Sequence, residues 1–304
     1  MPIAKANGLD IFYDEFGDPA DPAVLLVMGL GTQMIAWSQE FCDRLAGHGF
    51  RVVRFDNRDI GLSAKMEGAP VYSLPAAVAR WWLGLRVRSS YSLEDMARDA
   101  VGVLDALDID KAHIVGASMG GMIAQIIAAA WPERSRSLVS IMSTSGRRRL
   151  PGPRRQARAA LTARRPAPGD REAVIRFGVN VLKAIGSPGY PTPEADLRRF
   201  VEAAMGRSVY PAGFMRQMLA ILANGSRAEL LKTIRAPTLV LHGEADPMIP
   251  VEGGRDTARL IPGARLETIP GWGHDLPPAL VPRLADAIAE HCRNVDAPAE
   301  TMVI

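Results

Sequence analysis

A single hydroxyl stands among three glycines in the stretch HIVGASMGGMIAQIIAAAWP, residues 113–132. The short apolar run before it contains β-branched residues and suits a buried strand, and the apolar run from Met122 to Trp131 suits a buried helix. A strand that turns directly into a helix needs glycine where the two backbones nearly touch, and the tip residue adopts an open, strained conformation. The pattern therefore predicts an exposed Ser118 hydroxyl at a helix N-terminus, where partial positive charge favours a developing anion.

The alternative to a catalytic serine at this position is an ordinary turn, because glycine and serine are common between secondary-structure elements. The flanking strand and helix favour catalysis, since a G-x-S-x-G nucleophile requires that context. A base, an acid that orients it and a second oxyanion donor must then come from elsewhere in the chain.

Composition excludes several other classes of protein. The 304 residues are 48% hydrophobic, which is ample for a core, and 36 basic against 33 acidic residues leave a net charge of +3. This balance does not favour nucleic acid as a partner. We see no signal peptide and no apolar run near the ~20 residues that span a bilayer, and Cys42 and Cys292 lack C-x-x-C spacing. We expect a cytoplasmic protein that binds no membrane; the oligomeric state stays open.

Strand-like runs alternate with helical patterns along most of the chain. Strands are predicted at residues 9–17, 23–29, 50–56, 111–118, 135–144, 236–243 and 264–271. Helices are predicted at residues 34–47, 92–107, 122–131, 252–261 and 276–292. This alternation predicts an α/β fold with a mostly parallel sheet flanked by helices.

Residues 146–226 break the alternation. They show several short helical patterns, many prolines and arginines, and no strand pattern. We expect a helical cap here, inserted into a core formed by residues 1–145 and 227–304. The cap begins with a group of arginines: Arg147, Arg148, Arg149, Arg154, Arg155, Arg158, Arg164 and Arg165. A solvated face is favoured over an anion-binding surface because no aromatic residues interleave with them.

Two later loops supply candidates for the base and the acid. Asp246 follows a predicted strand in LVLHGEADPMIP, and His274 follows the next strand in IPGWGHDLPP. Ligands of open α/β sheets bind outside the carboxyl ends of the strands, so both loops should open beside Ser118. Glu244 and Asp275 are rival acids, but Asp275 adjoins the histidine in a poor geometry for pairing, and Asp246 is preferred.

The loop after AVLLVMG, residues 23–29, is the expected source of the second oxyanion donor. Gly29 and Gly31 would let the backbone approach the site, although they could equally be ordinary turn residues. We predict that the backbone N–H groups of Leu30 and Met119 form the oxyanion hole and that Gly29 lines the substrate pocket.

The chain order serine, aspartate, histidine is that of the α/β-hydrolases. The segments LLVMGLG, RFDNRDIGLS, GASMGG, HGEADPMIP and GWGHDLP resemble those of bacterial cap-bearing carboxylesterases of this fold, including aclacinomycin methylesterase-like enzymes, over about residues 8–293. The resemblance implies an α/β-hydrolase fold with a helical cap and a triad of Ser118, Asp246 and His274. These motifs are specific for the fold and the triad, not for a substrate.

Two departures from the usual family pattern lie near the predicted site. Met28 precedes Gly29 where most relatives have histidine, which removes a supporting side chain but not the backbone donor. Asp59 stands where the common D-x-R-G-x-G-x-S segment has its first glycine. We expect residues 56–63 to form a structural turn near the site.

The predicted reaction is hydrolysis of a small to medium carboxylic ester through an acyl-enzyme, without a metal or organic cofactor. Ser118 attacks the carbonyl, His274 acts as the base, and Asp246 fixes the imidazole tautomer. A serine nucleophile argues against the epoxide hydrolases and haloalkane dehalogenases of the same fold. Hydrolysis of C–C bonds or amides, acyl transfer and cofactor-free perhydrolysis remain alternatives on this triad, and a ligand-binding receptor is disfavoured by the complete triad.

The size preference rests on the expected pocket. Apolar residues of the cap, with Leu30, Met119 and either Trp81 or Trp82 beneath them, would enclose the acyl and alcohol groups. Such a pocket selects substrates by size. Each extra or missing methylene group changes the binding free energy by about 1–3 kcal/mol. We therefore expect short acyl chains and little action at lipid droplets.

Overall fold

The computed structural model describes residues 2–164, 166 and 169–297, and within these ranges eight strands form one sheet. The strands are β1 (Ile3–Ala6), β2 (Leu9–Phe16), β3 (Ala23–Val27), β4 (Arg51–Phe55), β5 (Ala112–Ala117), β6 (Ser135–Ile141), β7 (Thr238–Gly243) and β8 (Arg265–Ile269). Their order is β1-β2-β4-β3-β5-β6-β7-β8. Strands β1 and β2 pair antiparallel with their neighbours, and the other six run parallel. The predicted α/β class with a mostly parallel sheet is confirmed.

Helices cover both faces of this sheet. They are α1 (Gln39–Gly47), α2 (Leu74–Trp82), α3 (Leu93–Ala106), α4 (Met119–Ala130), α5 (Arg155–Thr162), α6 (Arg171–Ile185), α7 (Glu194–Arg207), α8 (Pro211–Asn224), α9 (Ala228–Leu231), α10 (Glu252–Leu260) and α11 (Val281–Asp296). Alternate residues of β3 point to opposite faces, so Leu25 packs with α3 and α4 while Leu26 packs with α1 and α11. Strands buried on both faces explain the continuous apolar runs of the sequence.

The predicted helix at 34–47 is divided in two. A single 3₁₀ turn spans Met34–Ala36, and α1 begins only at Gln39. The Ser38 hydroxyl accepts a hydrogen bond from the Phe41 amide and so caps α1, which fixes this later start. Strand β1 was not predicted, because four residues that are exposed and buried in alternation give too short a pattern.

Helices α5 to α8 follow β6, and the chain then returns to the sheet through α9 and β7. Helices α6 and α7 pack on each other through Ile175, Val179 and Val201. The division into a core and a cap of residues 146–226 stays a prediction. Of the arginines at the start of that segment, Arg165 lies outside the described residues.

Residues 56–63 tie helices α7 and α8 to the sheet. Arg207 of α7 pairs with the buried Asp56, and Arg216 of α8 forms two hydrogen bonds, of 2.8 and 3.0 Å, with the buried Asp59. Burial alone would raise the pKa of Asp59, but hydrogen bonds from Arg216, the Met66 amide and Tyr91 lower it below its usual value. The turn expected near the site therefore also anchors the helices above it.

Candidate active site

Ser118 occupies a sharp turn between β5 and α4. Its backbone has φ 57° and ψ −119°, a positive φ that is strained for any residue except glycine. The surrounding backbone holds this conformation: the Ser118 amide donates to the Ile141 carbonyl at 2.9 Å, and the Ser118 carbonyl accepts from the Ser143 hydroxyl at 2.8 Å. The tip serine of the predicted strand–turn–helix thus has the strained geometry that the sequence predicted.

The glycines around Ser118 are required by contact between backbones. A Cβ atom at Gly116 would lie 2.1 Å from the Gly120 carbonyl oxygen, and one at Gly120 would lie 2.0 Å from the Val27 carbonyl oxygen. At Gly121, a Cβ atom would lie 2.6 Å from that of Ser143. No side chain fits at these distances, so glycine lets the helix start directly against β3 and β5.

Three side chains form a continuous chain at the carboxyl edge of the sheet. His274 Nδ1 lies 2.7 Å from Asp246 Oδ2, and His274 Nε2 lies 3.0 Å from Ser118 Oγ. Asp246 follows β7 and has a fully buried side chain, whereas the His274 side chain, after β8, keeps 9% exposure. Both distances are within hydrogen-bonding range, so the imidazole bridges the carboxylate and the hydroxyl.

The environment of Asp246 keeps its carboxylate ionised. The amides of Met248 and Ile249 donate to Oδ1 at 2.8 and 2.9 Å, and His242 Nε2 lies 3.6 Å from Oδ2. Burial alone would raise the pKa of Asp246, but the charge and hydrogen bond of His274, with His242 close by, hold it well below its usual value. An ionised Asp246 accepts the Nδ1 proton of His274, which leaves the Nε2 lone pair facing Ser118.

The rival acids have other partners. The Thr268 hydroxyl donates to Glu244 at 2.8 Å, and the Ser187 hydroxyl donates to Asp275. Of the three carboxyl groups considered from the sequence, the structure brings Asp246 to the ring of His274.

The loop after β3 lies directly over Ser118. A Cβ atom at Gly29 would be 3.1 Å from the Ser118 Cβ atom, so the absence of a side chain allows this approach. Within the described residues, the amides of Leu30 and Met119 donate no hydrogen bond to the protein, and Met119 opens the first turn of α4. Two backbone donors close to Ser118 therefore remain available for a ligand oxygen, as an oxyanion hole requires.

Two polar side chains that sequence reasoning missed support this loop. The Asn57 amide donates to the Met28 carbonyl at 2.9 Å, and Gln217 of α8 accepts from the Gly31 amide at 2.9 Å. Asn57 stands in the quoted RFDNRDIGLS segment and could have been singled out as a loop support. Nothing local to the sequence marks Gln217, because its partner lies 186 residues away.

The predicted tryptophans belong to α2. Trp82 is 70% exposed and meets Trp81 edge-on, with ring centroids 5.2 Å apart. Trp81 packs in a small cluster with Leu219 of α8, and the Arg148 guanidinium lies over its ring. Trp82 thus lies largely on the surface, and the role of this pair as a pocket wall stays a prediction.

The part of the chain that the structure describes holds neither a metal-ligand cluster nor a helix that could span a membrane. Among residues 2–164, 166 and 169–297, no group of three or more histidine, cysteine, aspartate or glutamate side chains is arranged to hold a metal ion. In the same ranges no helix has the length and apolar character needed to cross a bilayer. Burial raises the pKa of both Cys42 and Cys292 to about 12, so neither is a reactive thiolate at neutral pH.

The raised pKa of the Asp275 carboxyl group can be tested through the pH dependence of protein stability. Burial raises its pKa to about 6 despite the opposing hydrogen bonds from Ser187. Between pH 4 and 6 the unfolded chain loses this proton while the folded chain keeps it, so the stability of the parent falls as the pH rises. Relative to the parent, Asp275→Asn should therefore gain up to about 3 kcal/mol in unfolding free energy across this interval and then level off. Urea titrations at pH 4, 5, 6 and 7 measure this difference, and a pH-independent difference would contradict it.

Comparisons with known proteins identify the fold family of the chain. The family model described as alpha/beta hydrolase fold matches residues 22–277. The rhodomycin D methylesterases DnrP of Streptomyces peucetius and DauP of Streptomyces sp. (strain C5) are 30% and 29% identical to the chain, with 93% of this chain and 95% of each relative covered. A solved structure of the meta-cleavage product hydrolase CumD from Pseudomonas fluorescens IP01 has a TM-score of 0.75 at 22% identity, covering 97% of this chain and 98% of that one. The protein belongs to the α/β-hydrolase fold family.

Proposed function

We propose that the protein is a serine carboxylesterase, that it hydrolyses small to medium carboxylic esters, and that Ser118, His274 and Asp246 are its catalytic triad. The observation that carries this proposal is the unbroken hydrogen-bond chain from Asp246 Oδ2 through His274 to Ser118 Oγ. The similarity to two methylesterases over nearly the whole chain supports ester hydrolysis as the reaction. The proposed location is the cytoplasm.

The first half of the proposed reaction acylates the enzyme. As Ser118 Oγ attacks the ester carbonyl carbon, its proton passes to His274 Nε2, and the carbonyl oxygen becomes an oxyanion. The amides of Leu30 and Met119 stabilise that charge, each by about 3 to 4 kcal/mol if they act like known oxyanion donors. The imidazolium then gives its proton to the leaving alcohol oxygen, the C–O bond breaks, and the acyl group stays on Ser118.

The second half returns the enzyme to its starting state. A water molecule gives a proton to His274 Nε2 as its oxygen attacks the acyl carbon. When the tetrahedral intermediate collapses, the bond between the acyl carbon and Ser118 Oγ breaks, the acid leaves, and the imidazolium returns its proton to Ser118 Oγ. Asp246 remains ionised in both halves and stabilises the imidazolium formed in each. No group other than water and the ester is consumed.

The proposed substrate class follows from the surroundings of Ser118. Gly29 leaves only backbone beside the Ser118 Cβ atom, so no side chain of that residue crowds the reacting carbonyl. The two similar Streptomyces proteins are methylesterases, which supports a small alcohol group on the substrate of this chain. Short acyl chains and small alcohols are therefore the preferred combination.

Ser118→Ala tests the nucleophile, because it removes one oxygen from a partly exposed turn. We expect turnover of a soluble aryl ester to fall by about 10⁴-fold or more, with an unchanged circular dichroism spectrum.

Asp246→Asn should lower turnover of the same ester by about 10⁴-fold, because the amide favours the wrong imidazole tautomer. Glu244→Gln, whose partner is Thr268, is the matched control and should stay near the parent. Parent-like activity of Ser118→Ala would show that the nucleophile lies elsewhere.

A series of p-nitrophenyl esters from acetate to palmitate tests the substrate class. We expect kcat/KM to be highest at short acyl length and to fall steeply beyond about eight carbons, because an enclosed apolar pocket discriminates by about 1–3 kcal/mol for each misfitting methylene. An anilide and a β-diketone in the same panel should react far more slowly. A maximum at palmitate, or activation by a lipid–water interface, would argue for a lipase instead.

A further inference from the structure

The chain after helix α6 lies directly against the loop that carries His274. We name residues 185–190 the α6 turn and residues 271–275 the histidine loop. The His274 amide donates to the Ile185 carbonyl at 2.8 Å, and the Gly189 amide donates to the Gly271 carbonyl at 2.9 Å. These two backbone hydrogen bonds join the segments at both ends of the contact.

Glycines on both sides make this contact close. A Cβ atom at Gly273 would lie 2.4 Å from the Gly186 carbonyl oxygen, and one at Gly271 would lie 2.9 Å from the Gly189 Cα atom. Gly271 also has a φ of 72°, in the left-handed region that favours glycine. The histidine loop is thus shaped to receive the α6 turn along its whole length.

Ser187 is the side chain at the centre of this contact. Its hydroxyl, in a residue that is only 4% exposed, accepts from the Gly273 amide at 2.9 Å and donates to the Asp275 carboxylate. One hydroxyl therefore binds the residues immediately before and after His274. The Asp275 carbonyl in turn accepts from the indole of the buried Trp272 at 2.7 Å, which fixes the far side of the loop.

We propose that Ser187 and Asp275 are positioning residues for the general base: through the histidine loop they hold the imidazole of His274 between Asp246 and Ser118. This inference rests on the proposed function. Ser187 comes from the helical segment between β6 and β7. The proposal therefore gives this segment a role in catalysis, in addition to any role in enclosing the substrate.

The proton relay tolerates little movement of the His274 imidazole, which is why its position has to be held. His274 must keep its two nitrogens 2.7 Å from Asp246 Oδ2 and 3.0 Å from Ser118 Oγ at the same time. A displacement of the ring by about 1 Å lengthens one of these hydrogen bonds and can lower the rate about 100-fold. The histidine loop follows β8, a short strand at the edge of the sheet. Contacts outside the sheet therefore have to set the conformation of this loop.

Ser187→Ala, Asp275→Ala and Asp275→Asn test this proposal. We expect Ser187→Ala to lower kcat for a soluble aryl ester, and the rate of covalent labelling by a fluorophosphonate, about 10- to 100-fold, with KM within about threefold of the parent. Asp275→Ala should behave in the same way, because it removes the acceptor of the Ser187 hydroxyl. Asp275→Asn keeps an acceptor oxygen and should retain activity within about threefold.

Ser137→Ala is the matched control for the loss of a buried hydroxyl. Ser137 is fully buried on β6 and hydrogen-bonds to His113 Nδ1 at 2.8 Å, four residues before the Ile141 carbonyl that binds the Ser118 amide. The Ser137→Ala variant should lower the melting temperature about as much as Ser187→Ala does, while its kcat stays near the parent value. Equal kcat values for the two serine variants would overturn the proposal.

The remaining outcomes also discriminate. Should Ser187→Ala fail to fold, the two Asp275 variants decide: equal activity of Asp275→Ala and Asp275→Asn contradicts a positioning role, and a gap of tenfold or more supports it. If Ser118→Ala is inactive but Ser187→Ala has a parent-like kcat, the positioning role is rejected and the proposed function stands. Full activity of Ser118→Ala would reject the proposed function itself.

Discussion

The contact between strand β5 and helix α4 at Ser118 is the constraint on which the candidate site depends. Gly116 and Gly120 allow two backbones to meet at distances that no Cβ atom permits, and the chain has to reverse through one residue with positive φ. The strain at Ser118 is compensated by hydrogen bonds to Ile141 and Ser143 of the neighbouring strand and its loop. A well-formed parallel sheet is therefore the precondition for an exposed serine oxygen.

The rest of the site is arranged around that oxygen by loops at the carboxyl edge of the sheet. The buried Asp246 is stabilised by two backbone amides, and its charge determines which nitrogen of His274 carries the proton. Segments outside the sheet take part as well, because Gln217 of α8 holds the loop beside Ser118 and Ser187, in the turn after α6, holds the loop of His274. The loop beside Ser118 and the loop of His274 are thus each tied to a segment outside the sheet.

Local patterns were enough to predict seven of the eight strands, five of the helices that flank them and the three side chains of the proposed triad. Apolar runs mark buried strands, and the residues that follow those strands must meet at one edge, which is why Asp246 and His274 could be placed near Ser118. The capped start of α1 at Ser38 shifted a boundary that periodicity alone had merged with the preceding turn. Gln217 and Ser187 were missed because their partners are distant in sequence, and only the packed fold brings them together.

The most direct test of the account is to locate a covalent adduct. The purified protein would be incubated with a fluorophosphonate, its intact mass measured, and the modified peptide sequenced by mass spectrometry. The proton relay through His274 predicts one adduct per chain, on Ser118, formed rapidly at neutral pH and absent after heat denaturation. An unmodified protein, or an adduct on any residue other than Ser118, would contradict the assignment of this site.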